Sequence, residues 1–530
     1  AQALWIQVRG TQHTVFLAFS LMASDPPPTS DAQCFAFVFP LMAGCTNPSL
    51  PVARALVESG HVVHYLCFPQ FREAIEDTGA AFHSALEFET ELYSSRQAGA
   101  FGAMVALQKE YGLEEDGEYS VRIKMSNVQL GMQLPGVLRF LQEVRPNAIL
   151  YDPVISREAA VAGQVMDLPT VALLSFAGPA AWASTIRIKV ENEKKSYEQF
   201  DHMAKTFEPN LAAVSQLKKD YGLDLVPGFN FGQLEPIPKL TLVTTIHNLR
   251  ALEEPELLNA YEAANAKNIY LGPLLDKAGA KRAGGFKMDS DSGPKKEEID
   301  LASLACAAKA AGRQVVIASM GTMATGDHPT LGWNGRTKDV DGTPRGLSGR
   351  ELCHAAWRGV FDAFGSSSAD EGAFIALSVG PQTDPLGDLV VPPNACCMPF
   401  FAQVDVLKAG ADAFLTHGGQ NSFMESLAEG VPVVVCPTAG DQFDNAKKAV
   451  ELGVGLDAGR PDPNPGDEIQ AAEAFSADVR SKLLQIVDPS SPFTAAAKRI
   501  QEELHSAGGV PSAADLLLKA SLAKTVEGLA

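Results

Sequence analysis

Early in the last quarter of the chain, two short apolar runs enclose a glycine pair and a helical pattern. No other stretch restricts the fold as much. Residues 411–416 read as a buried strand of a parallel sheet. Gly418 and Gly419 follow, then a helix-like pattern over 421–428, then a second buried strand over 433–436 with Pro432 at its entry, where proline is tolerated. A tight glycine turn from strand into helix leaves free backbone N–H groups at the positive end of the helix dipole, which is a receptor for phosphate.

The side chains carried by this unit suit a larger ligand. His417 stands at the strand tip, where an imidazole reaches a diphosphate oxygen, beside the backbone of Gly419. Asn421 and Ser422, both N-cap types, fall in the first helical turn and can donate to the same anion. Glu425 lies three residues after Ser422 on the same helix face. A carboxylate is a poor phosphate ligand and a good bidentate acceptor for two ribose hydroxyls, although Glu425 can also be read as a capping-box partner of Ser422. Asp441 and Gln442 lie beyond the carboxyl end of the second strand, the edge where ligands of open α/β sheets collect, and suit sugar hydroxyls. Each residue alone has an ordinary structural reading. In this order they describe a nucleotide-sugar site.

These residues resemble the donor signature of the UDP-dependent glycosyltransferases of the plant secondary-product and macrolide type, family 1, which have the GT-B fold: an α/β architecture of two Rossmann-like parallel-sheet domains facing a central cleft. The resemblance runs over residues 34–522 and is strongest at 400–446. It implies that His417 contacts the diphosphate, that Asn421 and Ser422 assist, that Glu425 holds the ribose, and that Asp441 and Gln442 hold the sugar, with glucose as the default. The family stacks an aromatic on the uracil shortly before a Pro-Gln; the matching stretch is Phe400-Phe401-Ala402-Gln403, so Phe400 is the expected stacking ring and Gln403 the matching glutamine. Residues 315–322 match the first strand of the donor domain and its phosphate-facing turn, with Ser319 and Thr322 toward the diphosphate.

On the acceptor side the family carries Gly-His-x-x-Pro, whose histidine takes the acceptor's proton. This chain has Gly44-Cys45-Thr46-Asn47-Pro48, so Cys45 stands at the base position. The orienting aspartate is matched by Asp152, at the end of an apolar run over 148–151. A histidine backed by a carboxylate is a neutral base near pH 7. A cysteine acts as a base only as thiolate, and a neighbouring carboxylate opposes that charge. Three outcomes follow: an acidic acceptor that needs little help, Asp152 acting as base directly or through water, or slow turnover. His61 and His64 on the next strand are alternative bases or ordinary strand histidines.

The expected organisation is an N-terminal extension, 1–33, disordered or extraneous, with Met22 as a native start; an acceptor domain, 34–278; a linker, 279–300; a UDP-sugar domain, 301–505, with an insertion at 324–348 that is a candidate lid; and a C-terminal helix in 506–530 crossing toward the first domain. Three terminal helices are expected to start at N-caps Ser476, Thr494 and Ser512. Phe176, Trp182, Phe229 and Phe231 are candidate acceptor-pocket residues or core.

With 63 acidic and 43 basic residues the formal charge is −20, which argues against nucleic acid and anionic membrane as partners. The eight cysteines show no metal spacing, and no apolar run is long enough for a membrane anchor. The expected protein is a cytoplasmic monomer without metal or cofactor, whose partners are a UDP-sugar co-substrate and a lipophilic small-molecule acceptor of secondary metabolism. The alternatives are a nucleotide-sugar-binding pseudoenzyme and a nucleotide-sugar epimerase on the same fold.

Overall fold

The computed structural model describes residues 32–228, 233–252, 254–284, 299–328, 330–338 and 343–529. The extension at 1–31, most of the linker, and Phe229 and Phe231 lie outside the described residues.

Seven strands form the first sheet: β1 (Cys34–Val38), β2 (Val62–Cys67), β3 (Ala81–Ser84), β4 (Ala148–Tyr151), β5 (Thr170–Leu174), β6 (Leu240–Val243) and β7 (Lys267–Tyr270). All pair in parallel, in the order β3-β2-β1-β4-β5-β6-β7. Strand β1 is apolar without alternation because both faces are covered: Phe35 and Phe37 lie inside the core. The helix Glu118–Val144 covers one side through Met125, Leu134 and Phe140. The helix Gly509–Ala523, last in the chain, returns to this same core through Ala513, Leu516, Leu517 and Ala520.

Strand β8 (Val315–Ser319) opens the second half, followed by a two-stranded antiparallel hairpin, β9 (Thr337–Lys338) and β10 (Pro344–Arg345). Then come β11 (Phe374–Ser378), β12 (Ala395–Met398), β13 (Ala413–Thr416), β14 (Val433–Val435) and β15 (Gly455–Asp457). The second sheet has six strands, parallel, in the order β12-β11-β8-β13-β14-β15. Two apolar layers sandwich it, one around Phe414 and Phe423, the other around Trp357 and Leu415.

Each sheet reverses its winding at one place. Strand β1 is flanked by β2 and β4, and β8 by β11 and β13. The crevices at the carboxyl ends of β1/β4 and β8/β13 are where such sheets bind ligands. The first holds Cys45 and Asp152, the second Ser319 and His417.

Two expectations need correction. The insertion at 324–348 is not a free loop in its described part. Trp333 is only 6% exposed, and its ring lies 5.7 Å from His354 and 6.1 Å from Trp357 on the helix Gly349–Phe364. Backbone bonds from Gly349 N to Gly332 O and Arg350 N to Trp333 O, each 2.9 Å, stitch it down, which removes the ground for a swinging lid. The terminal helices also begin earlier than the sequence suggests: Glu468–Ile486, Phe493–Ser506 and Gly509–Ala523, so Ser476, Thr494 and Ser512 all lie inside helices. Apolar packing reaches back before the hydroxyl-bearing residue each time, through buried Phe475 and partly buried Phe493 and Val510.

Among the described residues no helix is long and apolar enough to cross a membrane.

Candidate active site

The second crevice is built on β13 and its glycine turn. His417 N donates to Ser319 O across to β8 at 3.3 Å. Its ring is pinched between Gly321 and Gly419: a Cβ at either would fall 2.6 or 2.4 Å from ring atoms. Gly321 also has φ +72°, so two constraints demand glycine there. Burial lowers the His417 pKa to about 4, and Nδ1 has no hydrogen-bond partner. The imidazole is therefore neutral. Thr322 is exposed in the short helix Gly321–Thr325 that follows β8, and Ser319 is half-buried at the end of that strand.

The helix Gln420–Ala428 then places three of the expected side chains. Asn421 Nδ2 donates to Gly44 O at 2.9 Å, across the cleft to the loop that carries Cys45. Ser422 Oγ accepts from Gln403 Nε2 at 3.3 Å. Glu425, 3% exposed, has both oxygens engaged: Oε2 accepts from Gln403 Nε2 at 2.7 Å, and Oε1 pairs with Arg282 Nη2 at 2.6 Å. The capping-box alternative for Glu425 is not what forms, because the helix has no side-chain cap bond. Phe400 is 40% exposed and Phe401 8%, so Phe400 is the ring free to stack.

Asp441 and Gln442 stand beyond β14. Gln420 N donates to Asp441 Oδ2 at 3.3 Å, and burial raises this carboxyl to about 7. Gln442 Oε1 accepts from Thr438 N and Oγ1, both at 2.7 Å, and from Ala439 N at 3.1 Å. Its carbonyl thus closes its own loop, leaving the amide N–H₂ as the part that can face a ligand.

The first crevice differs. Cys45 sits in the short helix Ala43–Thr46 and is 2% exposed. Burial first, then the Asp152 charge, pushes its thiol well above the usual range, so it stays protonated. Asp152 is fully buried. Oδ1 accepts from Val154 N at 3.1 Å and Ile155 N at 2.8 Å, while Oδ2 has no hydrogen bond of regular geometry. Burial raises Asp152 to about 6. His61 and His64 are engaged elsewhere: His61 Nδ1 accepts from Gln33 N at 3.2 Å, and His64 Nδ1 lies 2.9 Å from His83 Nε2. Phe176 and Trp182 pack edge to face at 5.8 Å in a small core with Tyr119 and Phe200.

Sequence reasoning missed the strap over 273–284. It runs between the two crevices and lines a small pocket with Asn47, Asn421 and Glu425. Arg54 Nε holds Asp276 at 2.9 Å, Asn47 exchanges two bonds with Ala283, and Arg282 reaches Glu425. Its polar, glycine-bearing composition reads as linker. The one available signal was Arg54, a buried-helix cation in want of an anion.

A family model described as "UDP-glucoronosyl and UDP-glucosyl transferase" matches residues 389–460, the span that holds Phe400, His417 and Gln442. An uncharacterized UDP-glucosyltransferase, YojK, of Bacillus subtilis (strain 168) is 33% identical over 28% of this chain and 34% of its own length. The NDP-glycosyltransferase YjiC of the same organism is 22% identical over 89% of this chain and 93% of its own length. The crystal structure of the glycotransferase of kitacinnamycin superposes with a TM-score of 0.58 at 21% identity, covering 92% of this chain and 98% of that one. The chain has the GT-B fold of these glycosyltransferases, and its residues 389–460 match the UDP-glucoronosyl and UDP-glucosyl transferase model.

Proposed function

We propose that the chain transfers a sugar, glucose by default, from a UDP-sugar to a lipophilic small-molecule acceptor in a single inverting displacement. The observation that carries this reading is the bond from Asn421 Nδ2 to Gly44 O, which joins the phosphate-type helix start to the loop of Cys45 beside Asp152. It brings a donor crevice and an acceptor crevice of one chain face to face, so a monomer suffices as the active unit.

The acceptor oxygen forms its bond to the anomeric carbon while the bond from that carbon to the diphosphate oxygen breaks on the opposite face. Backbone N–H groups after Gly418 and the neutral His417 ring meet the developing charge on UDP. Phe400 stacks on the uracil, Glu425 holds the ribose once Arg282 and Gln403 release it, and Asp441 with the Gln442 amide holds the sugar. No cofactor beyond the UDP-sugar co-substrate is called for in this scheme. The proton goes to Asp152. Its Oδ2, which has no hydrogen bond of regular geometry, lies at the base position to accept it, and the protonated Cys45 thiol is not a base. Acceptors with acidic hydroxyls, such as phenols, are favoured because they ask least of a carboxylate.

UDP release measured with and without an acceptor panel tests the reading. Acceptor-dependent release is expected. Interconversion of UDP-sugars without release would make the chain an epimerase, and binding without either would make it a pseudoenzyme. Cys45→His should speed transfer to an aliphatic alcohol by about tenfold or more, with less gain on a phenol. Equal rates on the alcohol would remove the missing histidine from the account.

A further inference from the structure

Beside the first crevice lies a second, small pocket behind the loop that follows β1. Its apolar wall includes Phe39 and Leu41, and its polar wall includes Glu89, Gln133, Ser156 and Glu158. Glu89 and Glu158 are each 3% exposed. Glu89 Oε2 accepts one bond, from Gln133 Nε2 at 3.0 Å. Glu158 Oε2 has no hydrogen-bond partner. The cation next in sequence, Arg157, turns away and spends its guanidinium on Ser126 Oγ at 2.7 Å and Asn127 Oδ1 at 2.6 Å.

Two carboxyls held in one buried space, with the nearby Arg157 guanidinium hydrogen-bonded to other acceptors, are costly, and replacement by well-packed apolar side chains costs less. Such a pair is accounted for when a ligand supplies the missing charge. An ammonium is the complement: it is compact, carries several N–H donors in a small volume, and can bridge two carboxyl groups. A metal ion is a poorer match, because among the described residues no group of three or more His, Cys, Asp or Glu is placed to hold one.

We propose that this cavity is an ammonium subsite of the acceptor pocket: an aliphatic amine of the acceptor sits between Glu89 and Glu158, its apolar body lies against Phe39 and Leu41, and its reacting hydroxyl points to Asp152. The assignment rests on the reading of the β1/β4 crevice as the acceptor side. It names a class of substrate, lipophilic amino alcohols or aminophenols. Burial supports it by raising Glu89 to about 8 and Glu158 well above its usual range, so both stay protonated until a cation draws a proton off.

The test is titration of the whole chain with cyclohexylmethylammonium and with its neutral isostere cyclohexylmethanol, followed by calorimetry. The ammonium should saturate at millimolar concentration or below and bind at least about tenfold tighter than the alcohol. Glu158→Gln and Glu89→Gln, which keep shape, should each cut ammonium affinity by about tenfold and leave alcohol binding unchanged. Equal binding of the two probes, or an unaltered ammonium affinity in both variants, overturns the subsite; the probe comparison needs no variant and so survives a variant that fails to fold. UDP titration of the same samples reads the donor crevice separately. UDP binding without ammonium binding removes the subsite and leaves the donor reading standing, and ammonium binding without UDP binding does the reverse.

Discussion

The two crevices have the same topology and opposite habits. At β8/β13 three of the expected ligand-holding side chains are paired within the chain, while the His417 Nδ1 is not: Glu425 holds Arg282 and Gln403, Asn421 holds Gly44, and Gln442 closes its own loop. At β1/β4 two buried carboxyl oxygens, Asp152 Oδ2 and Glu158 Oε2, have no hydrogen bond of regular geometry. A site that binds the same nucleotide in every turnover can be pre-organised, with its polar groups satisfied by exchangeable neighbours that the ligand replaces. A site that must move a proton or discriminate among acceptors keeps unpaired groups in low dielectric, where the partner that arrives has most effect. The comparison therefore predicts unequal outcomes for changes on the two sides.

The largest effect belongs to Asp152. Asp152→Asn keeps the two backbone bonds to one oxygen and removes the base, so kcat should fall by about 10²–10⁴ while UDP affinity stays within about twofold. The parent's rate should also rise with pH through about 6, because the carboxyl acts only when ionised and burial has raised it to about 6. His417, held at about 4, remains neutral across that window and adds no second limb between pH 5 and 8. A flat profile through pH 6, or an equal loss of UDP binding, would erase the distinction between the two crevices.

Next comes the insertion. Trp333 belongs to the core that backs β8 and β11, so Trp333→Ala should cost about 3 kcal/mol of stability, read from denaturant or thermal unfolding. If the segment were a lid, the same change would alter donor affinity and leave stability nearly intact.

These assignments show which parts of the molecule a sequence discloses. Strands such as β1 and β13 are legible because burial on both faces makes them uninterrupted apolar runs, and the turn after β13 because glycines at 418 and 419 answer a local demand. His417, Asn421 and Glu425 were legible for the same reason: their spacing is set within one strand–turn–helix unit. The partners of those residues were not. Arg282 lies 143 residues from Glu425, and Asn421 lies 377 residues from Gly44, so no local pattern links them. Glu89 and Glu158 sit in segments whose mixed polarity suggests surface, and only the packing of the helix Glu118–Val144 over them makes them interior. The insertion misled because its turns and glycines look like loop while a single indole decides its place. Helix ends misled because Ser476, Thr494 and Ser512 are good caps on propensity, and apolar contacts one or more residues earlier outweighed that preference.

The smallest effect sharpens the comparison most. If the donor crevice is a site with exchangeable partners, then Arg282 competes with the nucleoside for Glu425. Its side chain is 26% exposed against 4% for Glu425, so water screens the pair and the contact is worth little on its own, about 1 kcal/mol. Arg282→Ala removes the competitor and leaves Glu425 short of a donor, which two ribose hydroxyls can supply. Uridine, which has no phosphate and so no other reason to meet the guanidinium, should then bind about threefold to tenfold tighter in a calorimetric or competition titration. Weaker uridine binding would mean that Arg282 is part of the nucleoside's own contact surface, and the donor crevice would have to be redrawn with its strap as a wall instead of a displaceable latch.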